Sequence, residues 1–344
     1  MISQKYGNFK KTNKIAAFDL DYTLIKTKSK KLFPIDKNDW EFLYENVITK
    51  LKELYNNNYS IVIISNQMGI SKGKVNKDDF LYKISKIQKL LNIPLLLFAS
   101  THDNEFRKPR IGFWKLLKKM DNVKVNKKKS FYVGDMAGRI KTKNNKADRT
   151  DTDRKFAYNA KIKFFTPEEF FLGEKERKWQ FNGYLLDYNN EETKLLNNKE
   201  NELILLSGYP GSGKSTLAKK KFKDYKLLSK DLFGNKIYKI LENELFKNNK
   251  VIIEGLLFNY DKRKKYIDIA KKYNYTLRFI EIDLSFDESY HLNVYRSLKK
   301  GSTVPKVVYH TYKKYYEKPN NKNFRIIEKY YPKLKNKVNK YYLY

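Results

Sequence analysis

Two groups of residues in this sequence have the types and spacing that phosphate chemistry requires. The first is Gly208-Tyr209-Pro210-Gly211-Ser212-Gly213-Lys214-Ser215-Thr216, which follows the apolar run Leu203-Ile204-Leu205-Leu206 and precedes a Lys-rich stretch of helical character. Glycines at these places let successive backbone N–H groups close around phosphate oxygens, at a helix N-terminus whose dipole favours negative charge. Lys214 then reaches the β- and γ-phosphates, and Ser215 offers its hydroxyl to Mg2+. A tight strand-to-helix turn without a ligand uses the same residue types. The complete pattern in a strand–loop–helix setting favours a bound nucleoside triphosphate, ATP. The second group is Asp19-Leu20-Asp21, directly after the apolar run Ile15-Ala16-Ala17-Phe18. Residues i and i+2 of an extended chain point the same way, so the two carboxylates converge beyond the strand. Carboxylates so close repel unless a cation or a shared proton separates them. An Asp-rich turn is the plainer reading of that pair taken alone.

The elements that must hold these groups alternate strand and helix. After the first strand come Ser60-Ile61-Val62-Ile63-Ile64, ending in Ser65-Asn66-Gln67, and Leu95-Leu96-Leu97-Phe98. Arg107-Lys108-Pro109 opens a helix expected over 110–119, and Phe131-Tyr132-Val133 delivers Gly134-Asp135. A short strand at 162–165 follows, and segments 39–56 and 78–92 carry apolar residues at helical spacing. Beyond the Gly-rich loop, strands are expected at 225–229, at Val251-Ile252-Ile253-Glu254, at 277–283 and near 324–327. This alternation predicts an α/β protein of two doubly wound parallel-sheet domains, with ligand crevices past the strand C-termini. The expected boundaries are 1–172, a polar linker or peripheral insertion at 173–200, and 201–344 ending in a basic, Tyr-rich tail. His291 reads as structural.

Four motifs in this order resemble the haloacid dehalogenase phosphatase superfamily. A closer resemblance is to the polynucleotide kinase 3′-phosphatase family, over most of 13–172. It is carried by Asp19-Leu20-Asp21-Tyr22-Thr23-Leu24, Ser65-Asn66-Gln67-Met68-Gly69, Arg107-Lys108-Pro109, Val133-Gly134-Asp135-Met136-Ala137-Gly138-Arg139 and Asp153-Arg154-Lys155-Phe156-Ala157, and most specifically by Phe165-Thr166-Pro167-Glu168-Glu169-Phe170-Phe171. The resemblance implies that Asp19 attacks phosphorus and that Asp21 protonates the leaving sugar oxygen. It implies that Mg2+ is held by Asp19, Asp135 and a backbone carbonyl near Asp21, and that Ser65 and Lys108 bind the phosphoryl oxygens. In the second domain Lys230-Asp231 resembles the kinase segment that binds the acceptor, with Asp231 as base and Lys230 on the substrate phosphate; Asp231 also suits a helix N-cap. Arg296 matches a lid arginine of that family. Tyr22 stands where the family has Gly, and Glu254-Gly255-Leu256-Leu257 where it has Asp-Asn-Thr-Asn.

Composition sets the class of partner. The net charge of +35, from 73 Lys and Arg against 38 Asp and Glu, suits a polyanion, although a Lys-rich codon bias on solvated surfaces produces the same excess. With no cysteine, no membrane-length apolar run and no signal-peptide core, the chain reads as intracellular, cytoplasmic or nuclear, and not secreted. The expectation is a monomeric end-healing enzyme that removes 3′-phosphates and phosphorylates 5′-hydroxyls of DNA strand breaks with ATP and Mg2+. No forkhead-associated docking is expected. The alternatives are the same two activities on RNA, a small-molecule phosphatase fused to a metabolite kinase, or a nucleic-acid scaffold with decayed sites.

Overall fold

Apolar runs followed at once by polar residues become strands whose C-terminal ends open onto crevices, and in this computed structural model they build two sheets. All residues from 1 to 344 are described except 144, 187–190, 197–200, 302 and 336. Contacts divide the chain into one unit of Met1–Leu185 with Tyr341–Tyr344 and another of Leu186–Lys340. Residues 187–190 and 197–200 of the expected linker lie outside the described residues.

The first unit runs β1 (Ile2–Tyr6), β2 (Lys14–Phe18), β3 (Ile25–Lys26), β4 (Glu41–Phe42), α1 (Val47–Asn56), β5 (Tyr59–Asn66), α2 (Met68–Ser71), α3 (Lys77–Leu91), β6 (Leu95–Ser100), α4 (Gly112–Lys119), β7 (Phe131–Val133), α5 (Thr152–Ala160) and β8 (Lys163–Phe165). Its sheet has the order β1-β6-β5-β2-β7-β8, with only the edge strand β1 antiparallel. Alternate residues of β2 and β5 serve opposite faces. Ala16, Phe18, Ile61 and Ile63 join Leu51 and Ile84 on one side. Ile15, Ala17, Val62 and Ile64 join Trp114, Leu117 and Phe156 on the other. Phe170 and Phe171 pack on Phe18 at ring separations of 5.6 and 6.4 Å, so the most specific sequence signature pads the strand that presents Asp19.

The helix expected from 39 starts at Val47 instead. Residues 41–42 pair with 25–26, and buried Asp39 accepts bonds from Ser29 and from the Ile35 amide, closing a loop where helical spacing suggested a first turn. Strand β1 gave no signal, because its central residues Ser3-Gln4-Lys5 are all exposed at the sheet edge.

The second unit contains β9 (Glu202–Ser207), α6 (Lys214–Lys221), β10 (Lys226–Ser229), α7 (Lys230–Phe233), α8 (Ile237–Phe246), β11 (Val251–Glu254), α9 (Tyr260–Lys272), β12 (Thr276–Ile282), α10 (Phe286–Lys300), α11 (Lys306–Tyr315) and β13 (Ile326–Tyr330). Its five strands are all parallel, in the order β10-β11-β9-β12-β13. In each sheet the topological switch point falls at one strand, β2 in the first and β9 in the second. Such a point is where open α/β sheets bind ligands. No helix among the described residues is long and apolar enough to cross a membrane.

Candidate active sites

In the first unit the crevice beyond β2 gathers side chains from four strand ends. The Asp19 carboxylate accepts from the Leu20 amide at 2.8 Å and lies 2.9 Å from Lys108 Nζ. Lys108 is 2% exposed and its ammonium also meets Asp153 at 2.8 Å and donates to the Tyr132 hydroxyl at 2.7 Å. Carboxylate oxygens of Asp19, Asp135 and Asp153 lie within 4.8 Å of one another. Burial is the main cause that pushes the Asp135 and Asp153 carboxyls above the usual carboxylate range; for Asp135 the charges of Asp153 and Asp19 add to it, and for Asp153 the Lys108 ammonium opposes it. Three carboxyls around one ammonium form a donor set of hard oxygens that fits Mg2+, and a cation there would offset the crowding of charge that, after burial, raises Asp135 and Asp153. A Cβ on Gly134 would collide with the Asp153 carboxylate, so glycine is what lets α5 bring that carboxylate in. Arg139 donates to the Asp135 carbonyl at 3.0 Å while paired to Asp148 and Glu168, which fixes the loop carrying the acid.

Asp153 joins this group without a signal in the sequence, because it sits in a motif of its own on α5, well along the chain from Asp135. The Asp21 carboxylate, expected beside the metal, is turned instead to Gln67, whose amide nitrogen donates to it at 2.7 Å, and to Lys83 at 3.9 Å. The Asp21 side chain keeps 43% of its surface open. Enclosure by the surrounding protein still raises its carboxyl above the usual range; Lys83 opposes this, Asp19 adds to it and the Gln67 hydrogen bond opposes it. A carboxyl raised in this way and partly open to the crevice suits proton donation to a leaving oxygen. Ser65 Oγ accepts from the same Gln67 amide at 2.9 Å. Tyr22 adopts the left-handed φ of +55° that glycine takes without cost, and its hydroxyl donates toward the Lys31 and Leu32 carbonyls at 3.2 Å.

In the second unit the loop after β9 has Gly208, Gly211 and Gly213 at φ +145°, +77° and +99°. A side chain on Gly211 would press on α10 at the Ser289 carbonyl and Asn293. Lys214 Nζ folds back onto the Gly208 and Tyr209 carbonyls at 2.8 and 2.9 Å. Burial pushes the Lys214 ammonium down to about 8; Glu254 and Asp231 oppose the shift and Arg296 adds to it, so all three act on this amine. Ser215 Oγ donates to Glu254 Oε2 at 2.6 Å, which joins the hydroxyl expected on Mg2+ to the acid ending β11. The hydroxyl of Ser212 is buried without a hydrogen-bond partner, as a loop waiting for phosphate oxygens would leave it. Thr216 is exposed in the first turn of α6. Tyr309 donates to the Pro210 carbonyl at 2.6 Å, and the Tyr312 hydroxyl pairs with Ser207 at 3.0 Å, so α11 braces the loop's backbone.

Asp231 is exposed in the first turn of α7, whose N-cap is Ser229, so the alternative N-cap role for Asp231 does not hold. Lys230, expected on substrate phosphate, bonds the Gly234 carbonyl at 3.1 Å and Asn235 at 2.9 Å. Arg296 is held by Asn293 at 3.2 Å, and Asn293 in turn clasps Val304. His291 is buried against the Val338 carbonyl.

Comparison with known proteins adds to this geometry. Residues 14–171 match the family described as polynucleotide kinase 3 phosphatase. A bifunctional polynucleotide phosphatase/kinase of Schizosaccharomyces pombe is 36% identical over 326 residues, covering 92% of this chain and 78% of its own length. A polynucleotide 3′-phosphatase of Saccharomyces cerevisiae is 30% identical over 216 residues, 46% of this chain and 87% of its own.

Proposed function

The chain belongs to the family of bifunctional polynucleotide phosphatase/kinases, and from that premise we propose that it heals broken strand ends for ligation, hydrolysing a 3′-phosphate at Asp19 and phosphorylating a 5′-hydroxyl above Lys214. The observation that carries this reading is the pair of switch points, one holding Asp19 beside Lys108, the other holding the phosphate loop.

At the first site Asp19 Oδ attacks phosphorus as Asp21 gives its proton to the departing 3′ oxygen. Asp21 then takes a proton from the water that cleaves the aspartyl-phosphate. Lys108 and Ser65 bind the equatorial oxygens over which charge spreads. Asp19, Asp135 and Asp153, with the backbone near Asp21, would hold Mg2+, which supplies charge neutralisation at the phosphoryl group. At the second site the loop amides and Lys214 bind the β- and γ-phosphates of ATP, Ser215 and Glu254 would hold Mg2+, and Arg296 faces the transferring group. Asp231 accepts the proton of the attacking 5′-hydroxyl.

The test offers 3′-phosphate and 5′-hydroxyl ends on matched DNA and RNA strands to wild type, Asp19→Asn and Lys214→Ala. Asp19→Asn is expected to lose only 3′-dephosphorylation, and Lys214→Ala only transfer of the ATP γ-phosphate. A chain inert on both end types, yet active on a metabolite phosphate, overturns the reading. Preference for the RNA set would move it from DNA repair to RNA repair.

A further inference from the structure

The Lys108 ammonium donates to the Tyr132 hydroxyl at 2.7 Å and is ion-paired with Asp19 at 2.9 Å and Asp153 at 2.8 Å. Lysine only donates, so the tyrosine oxygen accepts and its own proton is free for the Ile64 carbonyl at 2.9 Å. Tyr132 is fully buried, with its ring against Phe156 at 4.9 Å. Ile64 directly precedes Ser65 on β5, so this hydroxyl refers the ammonium to the strand that also carries the second phosphoryl-binding group.

We propose that Tyr132 is a positioning residue for the hydrolytic reaction: its hydroxyl, anchored on Ile64, aims the Lys108 ammonium at the transferring phosphoryl group. The three partners differ in kind. Asp19 loses its charge when it becomes the acyl phosphate, and Asp153 belongs to the carboxylate group suited to a cation. Tyr132 is the uncharged partner, tied to β5 through the Ile64 carbonyl. When Asp19 becomes the acyl phosphate, the Lys108 N–H that pointed at its carboxylate turns to a phosphoryl oxygen, and the bond to Tyr132 fixes the pivot of that turn.

The inference rests on the hydrolytic reading of the Asp19 site, and its test separates the two. Tyr132→Phe keeps the packed ring and removes the acceptor. We expect kcat to fall on the order of tenfold on both nitrophenyl phosphate and a 3′-phosphorylated oligonucleotide, with KM within about twofold, the pattern of a lost transition-state interaction. ATP-dependent 5′-phosphorylation by the same preparation should be unchanged. In a Lys108→Ala background the substitution should cause no further loss, because it acts through the ammonium. Replacement of Tyr132 by 3-fluorotyrosine, which keeps the shape but weakens the acceptor, should give an intermediate kcat and serves if the Phe variant does not fold. Wild-type kcat in Tyr132→Phe or in the fluorinated enzyme overturns the inference, as does an equal loss with and without Lys108. Wild-type protein inert on both phosphate substrates would instead defeat the reading beneath it.

Discussion

Ser65, Asn66 and Gln67 stand side by side and do three different jobs. The Asn66 side chain accepts from the Lys108 amide at 2.9 Å and donates to its carbonyl at 3.2 Å, clamping that residue's backbone in both directions. Gln67 spans Asp21 and Ser65, so the proposed proton donor and the proposed phosphoryl-binding hydroxyl are set by one amide. Asp153 supplies what these three do not, a buried negative charge that both pairs Lys108 and completes the carboxylate group. Asp153→Asn should lower 3′-phosphate hydrolysis on the order of a hundredfold or more and move the Mg2+ requirement to higher concentration. A Mg2+ titration of the variant with an unmoved midpoint would take Asp153 out of the metal set. Tyr22 is legible as an oddity in the sequence, but its anchoring of Lys31 and Leu32 is a product of the fold. Tyr22→Gly relaxes a left-handed backbone by about 1 kcal/mol and frees that loop. It should raise KM for oligonucleotides while sparing nitrophenyl phosphate; equal kinetics on both would remove Tyr22 from substrate handling.

At the level of elements, β11 and α11 turn a glycine-rich loop into a defined site. Strand β11 lies beside β9 in parallel register, with Glu254 opposite Leu206, and this brings the acid to Ser215 on α6. The residues of β11 alone say only that an apolar run ends in an acid. Its neighbour in the sheet gives that acid a partner. Glu254→Ala should reduce γ-phosphate transfer roughly ten- to hundredfold with a higher Mg2+ requirement, and leave 3′-phosphate hydrolysis untouched. Radiolabel transfer at the wild-type rate would show that Ser215 needs no such partner. The bracing tyrosines of α11 explain why aromatic residues crowd 309–316 in an otherwise basic segment: Tyr209 lies between Tyr309 and Tyr312, at ring separations of 5.8 and 4.5 Å.

Over the whole molecule, charge and chain path carry the remaining consequences. If the +35 excess serves a polyanion, raising salt should weaken oligonucleotide binding with a log–log slope of about −0.7 per phosphate contact on single strands, while nitrophenyl phosphate hydrolysis stays nearly flat. A flat oligonucleotide response would mark the lysines as solvated surface. Tyr341–Tyr344, expected with the second domain, belong to the first unit. Asn159 bonds the Tyr342 peptide in both directions at 2.8 and 2.9 Å, and Arg110 reaches the Leu343 carbonyl at 2.9 Å. Lys155 Nζ also donates to Tyr344 at 3.0 Å, so deleting 341–344 should cost the first unit on the order of 4 kcal/mol in denaturant unfolding, about one per lost hydrogen bond. An unchanged midpoint would show the segment only resting there. The apolar strands and the placing of Asp19 and Asp135 just past them, of Ser65 at the end of β5 and of Lys214 at the start of α6 were legible in the sequence, because apolar run length and the polar residue that ends it are local signals. The sequence also marked the departure at Glu254, but not its bond to Ser215. Asp153 beside Lys108, Tyr132 beneath it and the edge strand β1 were decided only by the tertiary structure, and so was Arg278, fully buried in β12 between Glu202 at 3.2 Å and Glu328 at 2.7 Å. Each depends on which strands and helices become neighbours across long stretches of chain, and that choice is made by packing the sheet as a whole, which no local period encodes.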